Sequence, residues 1–245
     1  MKYSKNNYKK IYKNLIIKMK ESFEINDMEQ EINPDFCFKL VMLGDSGVGK
    51  TSLVKYEIKN SFICNRDSTI IFEHSFKNFN VLGKTVRLQI WDTCGQEVYH
   101  SSMKNFYRSA LCIIVVFSLE TLDSFYKVND WIEEIQNNNS EESILVLIGN
   151  KSDLTQPRVV PKELIEDYCQ KNGIENYFET SAKTGENVHE LFKNLVKKLY
   201  IKFAMPILND NEIRNEIKDF PSPFRKNIFN ESTENCCRSC FCYNQ

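Results

Sequence analysis

Residues 39–54 read KLVMLGDSGVGKTSLV, and this stretch constrains the fold more than any other. An apolar run of strand length ends in a loop with three glycines, Gly44, Gly47 and Gly49. Lys50 and Thr51 follow, and the chain then takes up a helical pattern. GDSGVGKT fits G-x-x-x-x-G-K-[ST] with a strand before it and a helix after it. Glycines let the backbone curl so that successive N–H groups converge on phosphate oxygens, and the helix N-terminus adds partial positive charge. Asp45, Ser46, Gly47, Val48, Gly49, Lys50, Thr51 and Ser52 are therefore the expected phosphate cradle. Lys50 would bridge β and γ phosphates, and Thr51 would offer its hydroxyl to Mg²⁺.

The surrounding chain supports that motif. From about Phe36 to Phe203, strand-like and helix-like segments alternate. FCFKLVMLG, ALCIIVVFS and SILVLIGN are near-continuous apolar runs, as in a parallel sheet covered on both faces. IFEHSFKNFNV and TVRLQIWD flank LGK as a hairpin. Helices are expected near 123–137, 161–172 and 186–202. This order predicts a doubly wound α/β sheet with its ligand at the carboxyl ends of the strands.

Three further stretches narrow the chemistry. WDTCGQE (91–97) follows a strand. Asp92 can hold Mg²⁺, Gly95 can donate its N–H to a γ-phosphate, and Gln96 can orient an attacking water. NKSD (150–153) follows ILVLIG. The Asp153 carboxylate can accept two hydrogen bonds from the N1–H and exocyclic amine of guanine, a donor pair that adenine lacks. Asn150 can bond the base and brace the phosphate loop, and the Lys151 stem can lie along the ring. In TSAK (180–183), which includes Ser181, an N–H near Ala182 can meet the guanine carbonyl and Lys183 can pack on the base. Each tetrapeptide alone is weak; their order, each after a strand, makes the set specific.

GDSGVGKTSL, LQIWDTCGQE, LIGNKSDL and ETSAKTGENV resemble the Ras superfamily of small GTPases, most closely its Rab branch. The resemblance covers residues 36–203 and neither tail. It implies the P-loop NTPase (small G-protein) fold, a six-stranded, mostly parallel sheet with helices on both faces. It also implies a cycle between GTP and GDP with Mg²⁺, slow intrinsic hydrolysis, and control by an exchange factor, a GTPase-activating protein, effectors and a lipid-shielding chaperone. Thr69 aligns with the switch-one threonine that joins the Mg²⁺ shell with GTP. Phe62 aligns with the aromatic that covers the base. The second switch would run from near Asp92 to about Arg108. Ile71, His74, Cys94, Val98 and Ser118 depart from the usual Rab residues; for Ile71 and His74, on the effector face, we expect altered partner choice rather than lost chemistry, while Cys94 could tune hydrolysis, be oxidised or simply fit, and the named catalytic set stays intact.

Three units follow: an extension over 1–34, a GTPase domain over 35–204, and a tail over 205–245. The first twenty residues hold seven lysines and no acid. Tyr12, Leu15, Ile16 and Met19 fall at helical spacing, as in a membrane-binding helix. The reading preferred here is a solvated, flexible extension. Net charge is −1, so no global field recruits nucleic acid. Of nine cysteines, five are scattered singly, which suits reduced thiols. The other four crowd the end in NCCRSCFCYNQ. Four cysteines within seven residues surround one zinc ion poorly. By resemblance, Rab tails carry two geranylgeranyl groups; Cys240 and Cys242 are the expected acceptors, with Cys236 and Cys237 as alternates. The tail before them has no polybasic run, so stable anchoring needs two lipids. The expected location is the cytoplasmic face of an intracellular membrane, with a soluble cytosolic pool. Two rivals are a GTP-binding scaffold that hardly hydrolyses and a P-loop phosphotransferase. The second leaves NKSD and TSAK without a role.

Overall fold

A computed structural model describes residues 24–28, 33–62, 73–93, 109–138, 143–153 and 158–207. Its strands are β1 (Ile25–Met28), β2 (Phe36–Leu43), β3 (Glu73–Val81), β4 (Lys84–Asp92), β5 (Cys112–Ser118), β6 (Ile144–Asn150) and β7 (Tyr177–Thr180). They form one sheet in the order β1-β3-β4-β2-β5-β6-β7. β2 pairs in parallel with both β4 and β5, and the parallel pairing continues through β6 to β7. β3 runs antiparallel to β4 and to β1.

The helices are α1 (Lys50–Lys59), α2 (Leu122–Tyr126), α3 (Val128–Asn138), α4 (Lys162–Asn172) and α5 (Val188–Leu199), the last extended by a π-helical turn, Tyr200–Ala204. Period-two alternation in the central strands sorts the core into two faces. Leu40, Met42, Cys112, Ile114, Val116, Val146 and Ile148 meet α1 and α5 on one side. Val41, Leu43, Ile113, Val115, Phe117 and Leu147 meet α2, α3 and α4 on the other. α5 shows why a helix belongs there: Val188, Leu191, Phe192, Leu195, Val196 and Leu199 are all fully buried and fall on one stripe. Burying each of the larger side chains stabilises the fold by about 1.5–3 kcal/mol.

The expected fold class is the one observed, with three local differences. Among the described residues the sheet has seven strands rather than six. The additional strand, β1, lies inside the stretch read as a flexible extension. EINDM has no apolar alternation, so nothing local marks it as a strand; its pairing with β3 is a tertiary effect. The single helix expected over 123–137 is divided at Lys127 into α2 and α3. The hairpin turn is Leu82–Gly83, and Lys84 already belongs to β4. Both turn residues have positive φ, +53° and +79°, as a two-residue I′ turn requires.

The loop after β2 passes against β5. A Cβ on Gly44 would stand 2.1 Å from the carbonyl oxygen of Val116, and its φ is +133°. Only glycine fits there, so the parallel neighbour of β2 dictates the first residue of the motif.

Candidate functional site

The site lies where β2, β4, β6 and β7 end. The loop from Gly44 enters α1 through Gly49, whose φ of +100° turns the backbone into the helix with no side-chain cap. Lys50 is buried, and its Nζ donates to the carbonyl oxygens of Gly44 and Asp45, each at 2.8 Å. The cation thus lies across the mouth of the loop. Asp45 is also engaged: Oδ1 accepts the Ser46 N–H at 2.8 Å, and Oδ2 pairs with Lys127 at 3.0 Å. Ser46 and Gly47 are exposed, and Val48 is buried. Ser52 lies partly buried on the first turn of α1.

The Thr51 hydroxyl donates to Asp92 Oδ2. Asp92 is 1% exposed, and its other oxygen, Oδ1, is buried and takes no hydrogen bond from the described residues. Burial pushes its carboxyl up to about 6, against the opposing pull of Thr51 and Lys50. A hydroxyl and a carboxylate with one oxygen unspent are the hard donors that Mg²⁺ takes, so these residues fit the ion. The adjacent Thr93 donates to the Met42 carbonyl at 2.7 Å and fixes the end of β4 on β2.

The second half of the site is organised by Asn150, at the end of β6 and 1% exposed. Its Nδ2 donates to the Val48 carbonyl at 2.8 Å. Its Oδ1 accepts the Ala182 N–H at 3.2 Å and the Thr180 hydroxyl at 3.3 Å. The expected brace on the phosphate loop is present and extends to TSAK. Gly49 is tied to the same contact: a Cβ there would stand 2.3 Å from Asn150 Nδ2.

Asp153 is held by the TSAK segment. Its Oδ1 accepts the Ser181 hydroxyl at 2.6 Å, and its Oδ2 lies 3.6 Å from Lys183 Nζ. Ser181 Oγ in turn accepts the N–H groups of Lys183 and Thr184, at 3.2 and 3.1 Å. Lys151 has a φ of +67°, and its ammonium pairs with Glu120 at 3.1 Å.

Sequence reasoning missed several positioning residues. Arg158 forks onto Glu179 at 2.9 and 2.7 Å and donates to the Val160 carbonyl at 2.6 Å. It thereby fastens residues 158–160 to the strand that leads into TSAK. Lys127, paired with Asp45 from the break between α2 and α3, and Glu120, paired with Lys151, belong with it. No local motif marks such long-range pairs.

Phe62 stands exposed beyond the end of α1. His74 is exposed at the start of β3, its ring 4.9 Å from that of Trp91. Thr69, Gly95 and Gln96 lie outside the described residues, as do Ile71, Cys94, Val98 and the four tail cysteines.

The sequence model of the Ras family matches residues 39–201. The chain belongs to the Ras family. Within it, the chain is a Rab-like small GTPase. It is 38% identical over 182 residues to the Ras-related protein Rab-2B of Dictyostelium discoideum, covering 74% of this chain and 90% of that one. It is 41% identical over 161 residues to the Ras-related protein Rab5A of Oryza sativa subsp. japonica, covering 66% and 79%. It is 34% identical over 183 residues to the Ras-related protein YPTC6 of Chlamydomonas reinhardtii, covering 75% and 84%. Ras-family members are GTPases. Among the described residues, no helix of this GTPase is long and apolar enough to cross a membrane.

Asp92 makes a pH prediction for the protein free of metal and nucleotide. A carboxyl raised from about 4 to about 6 on folding leaves the folded state with more bound protons in that interval. Its contribution to stability therefore falls as pH rises from about 4 to about 6, by up to about 3 kcal/mol. Thermal denaturation across this range should show a smaller fall for Asp92→Asn than for the wild type. Parallel pH profiles would contradict it.

Proposed function

We propose that this Rab-like GTPase binds GTP and GDP with Mg²⁺, hydrolyses GTP, and serves as a membrane-anchored switch in vesicle traffic. The observation that carries the reading is the shared anchorage of Asp153, Ser181 and Ala182 to the phosphate loop through Asn150. A guanine acceptor and a phosphate cradle set in one rigid frame are what a guanine nucleotide requires.

Thr51 and Asp92 would hold Mg²⁺, joined by Thr69 in the GTP state. When bound, the ion neutralises charge on the β- and γ-phosphate oxygens. Lys50 supplies further positive charge there as negative charge develops. Gln96 orients the attacking water, and Gly95 donates its N–H to the γ-phosphate. A bond forms from the water oxygen to the γ-phosphorus, the bond to the β–γ bridging oxygen breaks, and the water proton leaves with inorganic phosphate. Among the described residues no arginine serves as an internal finger, so turnover is slow until a partner supplies one, a gain of about 10³ to 10⁵. Loss of the γ-phosphate contacts to Thr69 and Gly95 releases both switch loops, and effectors with them.

Regulators and location follow from the family. An exchange factor, a GTPase-activating protein, effectors and a lipid-shielding chaperone act on the switch at the cytoplasmic face of an intracellular membrane. Two lipids on Cys240 and Cys242 would anchor it, with Cys236 and Cys237 as alternates.

Single-turnover hydrolysis tests the catalytic part. With GTP and Mg²⁺, GDP should form slowly in the wild type, and about 10-fold or more slowly still in Gln96→Leu, the loss of one positioned group. Equal, negligible rates beside tight GTP binding would instead make the chain a scaffold. Fractionation of cells expressing Cys240→Ser/Cys242→Ser tests the anchor: the double variant should move to the soluble fraction. Undiminished membrane association would sink the lipid assignment.

A further inference from the structure

Two ion pairs cross from α1 to β3. Lys55 Nζ lies 3.7 Å from Glu73 Oε2, and Lys77 Nζ lies 2.7 Å from Glu57 Oε1. The second pair is the deeper one: the Glu57 side chain is 1% exposed. A carboxylate so placed is costly unless well partnered, and burial raises its pKa while Lys77 and His189 oppose the rise. His189 Nδ1 on α5 lies 3.2 Å from Glu57 Oε1.

Lys77 has three N–H bonds to place. One goes to the Glu57 carbonyl at 2.9 Å and one to Glu57 Oε1 at 2.7 Å. Asp27 of β1 adds an ion pair to the same ammonium, with Oδ2 2.9 Å from Nζ. Asp27 Oδ1 also lies 3.7 Å from His189 Nε2. Two acids and two bases from four elements, β1, α1, β3 and α5, thus close on one another. β1 adds its own ladder to β3, Ile25 against Val81 through Met28 against Asn78, and Ile25 packs on the core.

Their position gives the cluster a consequence. α1 starts at Lys50 and Thr51, on the phosphates, and β3 begins after the connection that carries Thr69. Lys77 and Glu57 join the two elements on either side of that connection. We propose that Asp27 is a positioning residue for nucleotide retention: the strap Ile25–Met28 adds a second carboxylate to the Lys77 ammonium and so fixes β3 against α1. Docking of the strap and binding of nucleotide are then coupled, each favouring the other. The inference rests on the nucleotide-switch reading above.

The test uses the full chain with Asp27→Lys, Ile25→Asp and Asp27→Glu beside the wild type. Release of fluorescent GDP is followed during a chase with excess GDP and Mg²⁺, and hydrogen exchange is followed over residues 78–81. In Asp27→Lys and Ile25→Asp, protection over 78–81 should fall and GDP should leave about fivefold faster or more, the low end of coupling between sites. Asp27→Glu, which keeps the carboxylate, should restore most of both effects. Wild-type protein stripped of nucleotide should also lose protection over 78–81, the reciprocal effect that a purely local brace lacks. Lost protection with unchanged GDP release would overturn the coupling. Unchanged protection in both disruptive variants would overturn the role of Asp27. If the wild type failed to bind GDP at all, the nucleotide reading itself would fall, and the wild-type arm alone reveals that.

Discussion

The carboxamide of Asn150 joins the ends of three strands. One hydrogen bond fixes the phosphate loop at Val48, and two receive the TSAK segment at Ala182 and Thr180. All of this occurs in the interior, where a lost partner leaves a buried polar group unsatisfied at a cost of about 1–3 kcal/mol. The network therefore holds the loops in one arrangement, and the loop geometry depends on it. Gly49 is required beside Nδ2, and Asp153 reaches its place through Ser181, the neighbour of Thr180.

The sheet makes such a junction possible. Parallel strands bring successive carboxyl ends to the same edge, and the crossover helices occupy the two faces. The segments after β4, β2, β6 and β7 therefore lie side by side in the order of the sheet, which gathers Asp92, the Gly44–Thr51 loop, Asp153 and Ser181 along one edge. Charge is arranged on the same principle. Buried Asp92 keeps one oxygen unspent, at a cost that shows as its raised pKa, while Lys50 nearby offsets part of that cost. Such tension accords with the Mg²⁺-holding role proposed for this residue.

Much of this was legible in the sequence because it is local. The apolar runs over β2, β5 and β6 need burial on two faces, and the spacing of Gly44, Gly49, Lys50 and Thr51 marks the tight turn from strand into helix. What the sequence hid is the long-range part. Arg158 with Glu179 and Lys127 with Asp45 are ordinary charged residues until the fold brings them together. β1 is the clearest case, since EINDM lacks alternation and becomes a strand only through β3, Lys77 and the core beneath Ile25. The break at Lys127 was equally hidden: its N–H bonds to Asp123 and Phe125 close one helix before the next begins, without glycine or proline to announce it.

The account's central claim is that Asn150 and Asp153 make one frame that selects guanine and cradles its phosphates. Competitive binding of GDP and ADP to the purified, metal-loaded chain tests this most directly. Two charge-assisted hydrogen bonds to Asp153 predict that GDP binds about 10³-fold more tightly than ADP, with most of that preference lost in Asp153→Ala. Comparable affinity for the two nucleotides, or a guanine preference that survives Asp153→Ala, would contradict it.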